Sequence, residues 1–314
     1  MGRADLDVLV VGAGVSGLTT AVCLAEAGRR VGIWAAGTDD RTTSFAAGAT
    51  WSPYLVESSD RVRAWSFETL QVLRALAADP GTGIALVAGV EAAREPVEPP
   101  EWREGLDGFR MCTAAELPDG FAAGWRYVAP VLDMPSYLGY LRRRAEAAGA
   151  GIEIRRIRSL DEATGVAPIV VNCAGIGARD LVPDPAVTPF RGQIVVVENP
   201  GITEFFVEES EPPLYFFPHG ATAILGGTVR EGDSNIAPDP DIAAAIVDRC
   251  SRIEPLLRDA RIIGHRVGLR PARPTVRVET ESDGRIVHNY GHGGAGVTLS
   301  WGCANYVTTV LTAG

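Results

Sequence analysis

Two glycine-dense turns, one arginine and one tyrosine carry the chemistry open to this sequence. The first turn, Gly12-Ala13-Gly14-Val15-Ser16-Gly17, has the GxGxxG spacing that cradles a dinucleotide pyrophosphate. Its first glycine permits a tight turn, its second lets backbone N–H groups approach the phosphates, and its third lets helix and strand pack closely. The second turn gathers Gly291, Gly293, Gly294 and Gly296 just ahead of a predicted helix. Backbone this bare can lie against a flat ring system, and the positive end of the helix then points at it. Arg270 stands in Gly268-Leu269-Arg270-Pro271-Ala272-Arg273-Pro274. Its planar guanidinium could pair a carboxylate at two points, or be a structural arginine beside the prolines. Tyr215, in Leu214-Tyr215-Phe216-Phe217-Pro218, is a phenol donor or an aromatic core residue. The four histidines (His219, His265, His288, His292) lack metal-ligand spacing, and the five cysteines never form CxxC, so no metal site and no disulfide framework is expected.

These groups require particular elements to hold them. Residues 5–11 read as a buried parallel strand, 16–28 as a helix stopped by Gly28, and 30–34 as a second strand. That βαβ start predicts a doubly wound unit. Further helices are expected over 66–78, 135–148, 242–252 and 298–311, with a buried strand at 169–172 and a surface loop at 94–100. Residues 193–197, 215–217 and 223–225 are short β-rich runs without helices between them, which predicts an antiparallel sheet; strands follow at 261–267, 275–278 and 285–287. The expected fold is α/β (α+β): a Rossmann-like nucleotide domain interleaved with a second domain on a mixed or antiparallel β-sheet. The acid usually found at the end of the second strand is missing from Ile33-Trp34-Ala35-Ala36, with Asp39 and Asp40 only in the following loop. This gap weighs against NAD more than against FAD, which gains contacts along its ring system.

The stretch His288-Asn289-Tyr290-Gly291, with the small residues running to Gly296, resembles the signature of the D-amino-acid oxidase family. Thr42-Thr43 and the block Ala46-Ala47-Gly48-Ala49-Thr50-Trp51-Ser52-Pro53-Tyr54 are similar to the family's flavin-lining segment. Val171-Asn172-Cys173-Ala174-Gly175, Arg191-Gly192-Gln193, Arg261-Ile262-Ile263-Gly264 and the Arg270 block follow in family order. The resemblance implies an FAD cofactor held by Gly12, Gly14, Val15, Ser16, Gly17, Thr42, Thr43, Ala47, Gly48, Ala49, Ile157, Gly268, Gly293, Gly296, Val297 and Thr298. It implies an FAD-binding domain over 1–54, 142–192 and 262–314, and a substrate-binding domain over 55–141 and 193–261. It further implies a carboxylate clamp at Arg270, helped by the Tyr215 hydroxyl, with the Gly294 carbonyl accepting the substrate amine. Thr50, Ser52 and Phe217 would line the side-chain pocket, Arg273 would be structural, Arg277 would be exposed on its strand, and His292 would hydrogen-bond backbone. The implied reaction is oxidative deamination of neutral D-amino acids by hydride transfer from Cα to flavin N5, with O2 reduced to H2O2.

One departure concerns the lid. The position of a second pocket tyrosine in many family members holds Glu211, in a shortened run over 207–214, so the lid is expected to be short or absent. Glu208, Glu209 and Glu211 would repel acidic substrates. D-aspartate oxidase is the nearest rival and would need a further cation, for which Arg230 lies one position off. A catalytically silent FAD-binding regulator and an NAD-dependent dehydrogenase are the readings from other classes.

Composition sets the outer limits. The net charge of −10 argues against nucleic-acid and membrane partners, and all 29 basic residues are arginine. Without lysine there is no Schiff base, P-loop lysine or lysine base. Scattered cysteines and no long apolar run predict a cytoplasmic protein whose partners are a small-molecule D-amino acid and O2. Assembly as a homodimer is compatible with the sequence.

Overall fold

The four side chains of Val8–Val11 are all buried, so this strand must be covered on both faces. In the computed structural model, which describes residues 6–37, 39–103 and 105–312, it pairs in parallel with Val31–Ala35 and Ile169–Asn172. Gly151–Ile154 and Ile286–His292 extend this parallel sheet on its two sides. Readings that fall on Met1 to Asp5, Ala313 or Gly314, and on the Asp39 side chain, lie outside the described residues. The helix Val15–Glu26 crosses from the first strand to the second and packs on the C-terminal helix Gly296–Thr312.

The antiparallel part is built around Thr188–Glu198, which pairs with Thr222–Gly226 on one edge and Ile262–Thr280 on the other. Beyond Thr222–Gly226 come Leu214–His219, Phe205–Glu208, Ile84–Ala93 and Ala123–Leu132. Both parts belong to one fifteen-stranded sheet among the described residues. Ile262–Thr280 joins them, because its other edge pairs with Ile286–His292 of the parallel part. Two of the expected domain boundaries, at 141/142 and 192/193, fall inside the helix Met134–Ala147 and inside the strand Thr188–Glu198.

Several elements differ from their sequence reading for local reasons. The helix expected from residue 66 begins at Asp60, because the Ser59 side chain accepts from Val62 N and caps it there. The last helix starts at Gly296 rather than Thr298. The separate strands expected at 261–267 and 275–278 are one strand of 19 residues that runs through Pro271 and Pro274. Pro271 sits opposite Pro189, and the pairing with Ile286–His292 shifts register between Ala272 and Arg277. Arg277 is only partly exposed, since it donates to the Tyr290 hydroxyl at 2.7 Å. Arg273 is structural as expected and donates to Asp184 at 3.0 Å. No helix among the described residues is long and apolar enough to cross a membrane.

Candidate active site

The C-terminal ends of the parallel strands open into a cavity of about 550 Å³ that continues under the antiparallel sheet. Gly12–Ser16, Ala35–Gly37, Arg41 and Arg156 border one end, and Tyr54, Tyr215, Phe217 and Arg270 border the other. Ala46–Thr50, Gly268, Gly293 and Gly294 also line it.

At the nucleotide end, backbone comes close enough that only glycine fits. Gly12 has a φ of +114°, and a Cβ there would run into the Cys173 carbonyl. A Cβ on Gly17 would strike Gly12 O, so Gly17 packs helix against strand and does not itself border the cavity. Gly14 gives the helix no capping side chain, which leaves first-turn amides for a phosphate. One of them, Val15 N, donates to Ser44 Oγ at 3.0 Å. Among the described residues, no carboxylate lines the cavity at the end of the second strand; the charged lining residues at this end are Arg41 and Arg156, which suit phosphate oxygens. Thr43 Oγ1 donates to Leu269 O at 2.9 Å and ties the Thr42-Thr43 segment to the Arg270 strand. This cradle fits a dinucleotide cofactor.

At the other end, Arg270 Nη1 donates to Thr228 O at 3.1 Å, and its guanidinium covers Gly192, where a Cβ would collide with it. The Tyr215 ring lies flat enough on Gly226 and Gly227 that a Cβ on either would overlap it. Burial raises the pKa of the Tyr215 hydroxyl, against the pull of the Arg270 charge. It is therefore a protonated donor at neutral pH. The Tyr54 hydroxyl is raised in the same way, again against Arg270.

Most of the expected site residues meet in this cavity: Thr42, Thr43, Ala47, Gly48, Ala49, Thr50, Ser52, Phe217, Gly293, Gly296 and Val297 border it, with Gly294 beside Tyr54. Ile157 and Thr298 do not. Ile157 packs in the apolar cluster with Leu9 and Trp34, and its neighbour Arg156 borders the cavity instead. Thr298 Oγ1 donates to Ser52 O at 2.7 Å and accepts from Ser52 N at 3.0 Å, so it positions Ser52. His292 borders the cavity, and its partner is the Asn289 side chain at 3.1 Å rather than backbone. Burial pushes its imidazole down to about 4, so it is neutral. Arg230 is exposed and supplies no charge to the cavity, and Glu211 is exposed as well. Glu208 is buried on its strand and paired with Arg94 at 2.7 Å, rather than sitting in a solvated loop. Sequence reasoning did not assign Tyr54, Ser44, Arg41 and Arg156; Tyr54 closes a motif block it had noted, whereas the others carry no local signal.

The family of FAD-dependent oxidoreductases matches this chain over residues 7–310. Fold and cavity thus belong to an FAD-dependent oxidoreductase, and FAD is its cofactor. The chain is 49% identical over 310 residues to a D-amino-acid oxidase of Rubrobacter xylanophilus, covering 96% of this chain and 95% of the relative. It is 36% identical over 317 residues to human D-aspartate oxidase, covering 95% and 92%. The solved structure of glycine oxidase from Geobacillus kaustophilus shares the fold, with a TM-score of 0.84 and 20% identity over 99% of this chain and 95% of that one. The chain belongs to the D-amino-acid oxidase family.

Proposed function

We propose that this enzyme oxidises D-amino acids with neutral side chains to 2-oxo acids and ammonia, with O2 reduced to H2O2. The observation that carries this reading is Arg270 with Tyr215 and Tyr54 in the same cavity as the Gly12–Ser16 cradle. In the reaction the amino acid loses two electrons and two protons, and water hydrolyses the resulting imine. When bound, FAD would supply the two-electron acceptor for the hydride from Cα, with O2 as the terminal oxidant.

Arg270 pairs the substrate carboxylate, and the protonated Tyr215 hydroxyl donates to it. The Gly294 carbonyl accepts from the substrate amine. With His292 neutral and no lysine in the chain, orientation is what these residues contribute. Thr50, Ser52 and Phe217 shape the side-chain pocket. The FAD-binding unit comprises 1–54, 142–192 and 262–314, and the substrate-binding unit comprises 55–141 and 193–261. Gly12, Gly14, Thr42, Thr43, Gly48, Gly268 and Gly293, which line the cavity, would hold the cofactor.

Acidic substrates are disfavoured, because Glu91, Glu208 and Glu209 border the Tyr215 end of the cavity. The test is anaerobic mixing of the yellow holoenzyme with D-alanine, L-alanine and D-aspartate. Bleaching by D-alanine alone, followed by peroxide on readmission of air, is the expected result. Bleaching by D-aspartate in preference to D-alanine would assign the chain to D-aspartate oxidation, and no bleaching by any of them would leave the regulator reading.

A further inference from the structure

The cavity wall beyond Tyr215 is acidic. Glu91, Glu208 and Glu209 border it together with the Tyr127 hydroxyl-bearing ring. Behind them lies Arg103, 1% exposed, whose guanidinium is ion-paired to Glu91. Arg103 also donates to Tyr127 Oη at 2.8 Å and to Glu209 at 3.1 Å, and Tyr127 donates to Glu91 at 2.9 Å. Glu208 is taken up separately by Arg94. Arg103 does not border the cavity; Glu91 and Glu209, which it holds, do. Three carboxyl groups here face two guanidiniums; burial pushes the Glu91 carboxyl up to about 7, so the one excess negative charge is complete only above that pH.

Sheet register sets the distance from this wall to the clamp. Val207 is directly paired with Glu91 on one neighbouring strand and with Tyr215 on the other. Residues opposite one another across strands project from the same face. Strands are about 4.8 Å apart, so the backbone at Glu91 is roughly 10 Å from that at Tyr215. The Tyr54 ring borders the same cavity, beside the Arg270 guanidinium. A carboxylate held at Arg270 and Tyr215 would leave a long side chain lying over Val207, with its tip at Glu91 and Glu209.

We propose that Glu91 and Glu209 form a second subsite for the cationic or N–H-bearing tip of a long D-amino-acid side chain, with Arg103 as the positioning residue that holds both carboxylates. The proposal rests on the amino-acid reading above and extends it to basic side chains. Short neutral side chains do not reach the subsite, whereas an acidic tip would meet like charge. An amine or guanidinium tip instead replaces its lost hydration with carboxylate oxygens already fixed in place.

The test compares D-ornithine with D-norvaline, which has the same carbon chain without the amine, in holoenzyme steady-state assays. The wild-type kcat/KM for D-ornithine should stay above about a tenth of that for D-norvaline, since an unmatched cation in an apolar wall loses far more. Glu209→Gln should lower the ratio of the two about tenfold, chiefly through the D-ornithine KM, and Glu209→Asp should restore most of it. A wild-type ratio below about a tenth, or a change under about threefold in Glu209→Gln, overturns the subsite. Should Glu209→Gln fail to fold, the wild-type ratio decides alone. Oxidation of D-norvaline without D-ornithine overturns the subsite only; oxidation of neither overturns the amino-acid reading with it.

Discussion

The guanidinium carbon of Arg270 lies 5.8 Å from the centroid of the Tyr54 ring. Tyr54 thereby approaches Arg270 from a segment remote from Tyr215, while Glu211, which the family resemblance puts at the position of a second pocket tyrosine, is exposed. Arg270 thus shares its end of the cavity with two phenols, one from the segment after Ala49–Thr50 and one from the strand Leu214–His219.

Replacing Arg270 by Leu should therefore raise the substrate KM by roughly 100-fold or more, the range expected when one partner of a desolvated charge pair is removed. Visible flavin absorbance should be retained, because the role proposed for Arg270 is to hold substrate and not cofactor. Loss of the flavin, or an unchanged KM, would remove the clamp assignment.

The contribution of Tyr54 should lie in its ring. A cation–π contact is worth about 0.5 to 2 kcal/mol, so Tyr54→Leu should raise KM about three- to thirtyfold while Tyr54→Phe changes it much less. Equal effects of the two substitutions would point to the hydroxyl instead.

Gly12→Ala tests the cradle. The added methyl would run into the Cys173 carbonyl at a φ that L side chains rarely adopt. The purified variant should be depleted in flavin and have a lower Tm, read by its absorbance spectrum and by thermal melting.

Glu91 gives the fold a pH dependence of definite sign. Burial pushes its carboxyl up from 4.5 to about 7; the Glu209 charge adds to the rise, while Arg103 and Tyr127 oppose it. The folded state thus holds this proton more tightly than the unfolded chain does. Stability from this group is present at low pH and is lost as pH rises from about 4.5 to about 7. Glu91→Gln should abolish that slope. Its Tm relative to wild type should climb between about pH 5 and pH 8, by the equivalent of roughly 1 to 3 kcal/mol.

Arg103→Met should destabilise the protein by about 3 to 5 kcal/mol near pH 8, where it leaves the buried Glu91 carboxylate without its cation. The double variant with Glu91→Met should recover most of that loss in denaturant melts, since no buried charge remains unpaired.

The nucleotide half of the molecule was legible in the sequence because its signals are local. A strand buried on both faces, a turn where Gly12 and Gly17 leave no room for a side chain, and helices with a clear apolar stripe all follow from residues within a few positions of one another. Even the helix that Ser59 caps starts at Asp60, less than two turns before the residue 66 read from the sequence. Arg270 and Tyr215 were readable through their motif blocks. The cavity wall beyond them was not. Glu91, Arg103, Tyr127 and Glu209 lie on two ordinary strands, a short turn and a loop, and nothing in their local sequence sets them apart. Only the pairing of Val207 with Glu91 on one side and Tyr215 on the other brings that wall within reach of the clamp. The sequence by itself determined the glycine turn of the cofactor cradle and the arginine that borders the cavity's other end. Strand register, a property of contacts between distant segments, decided which carboxylates stand at the other end of the pocket.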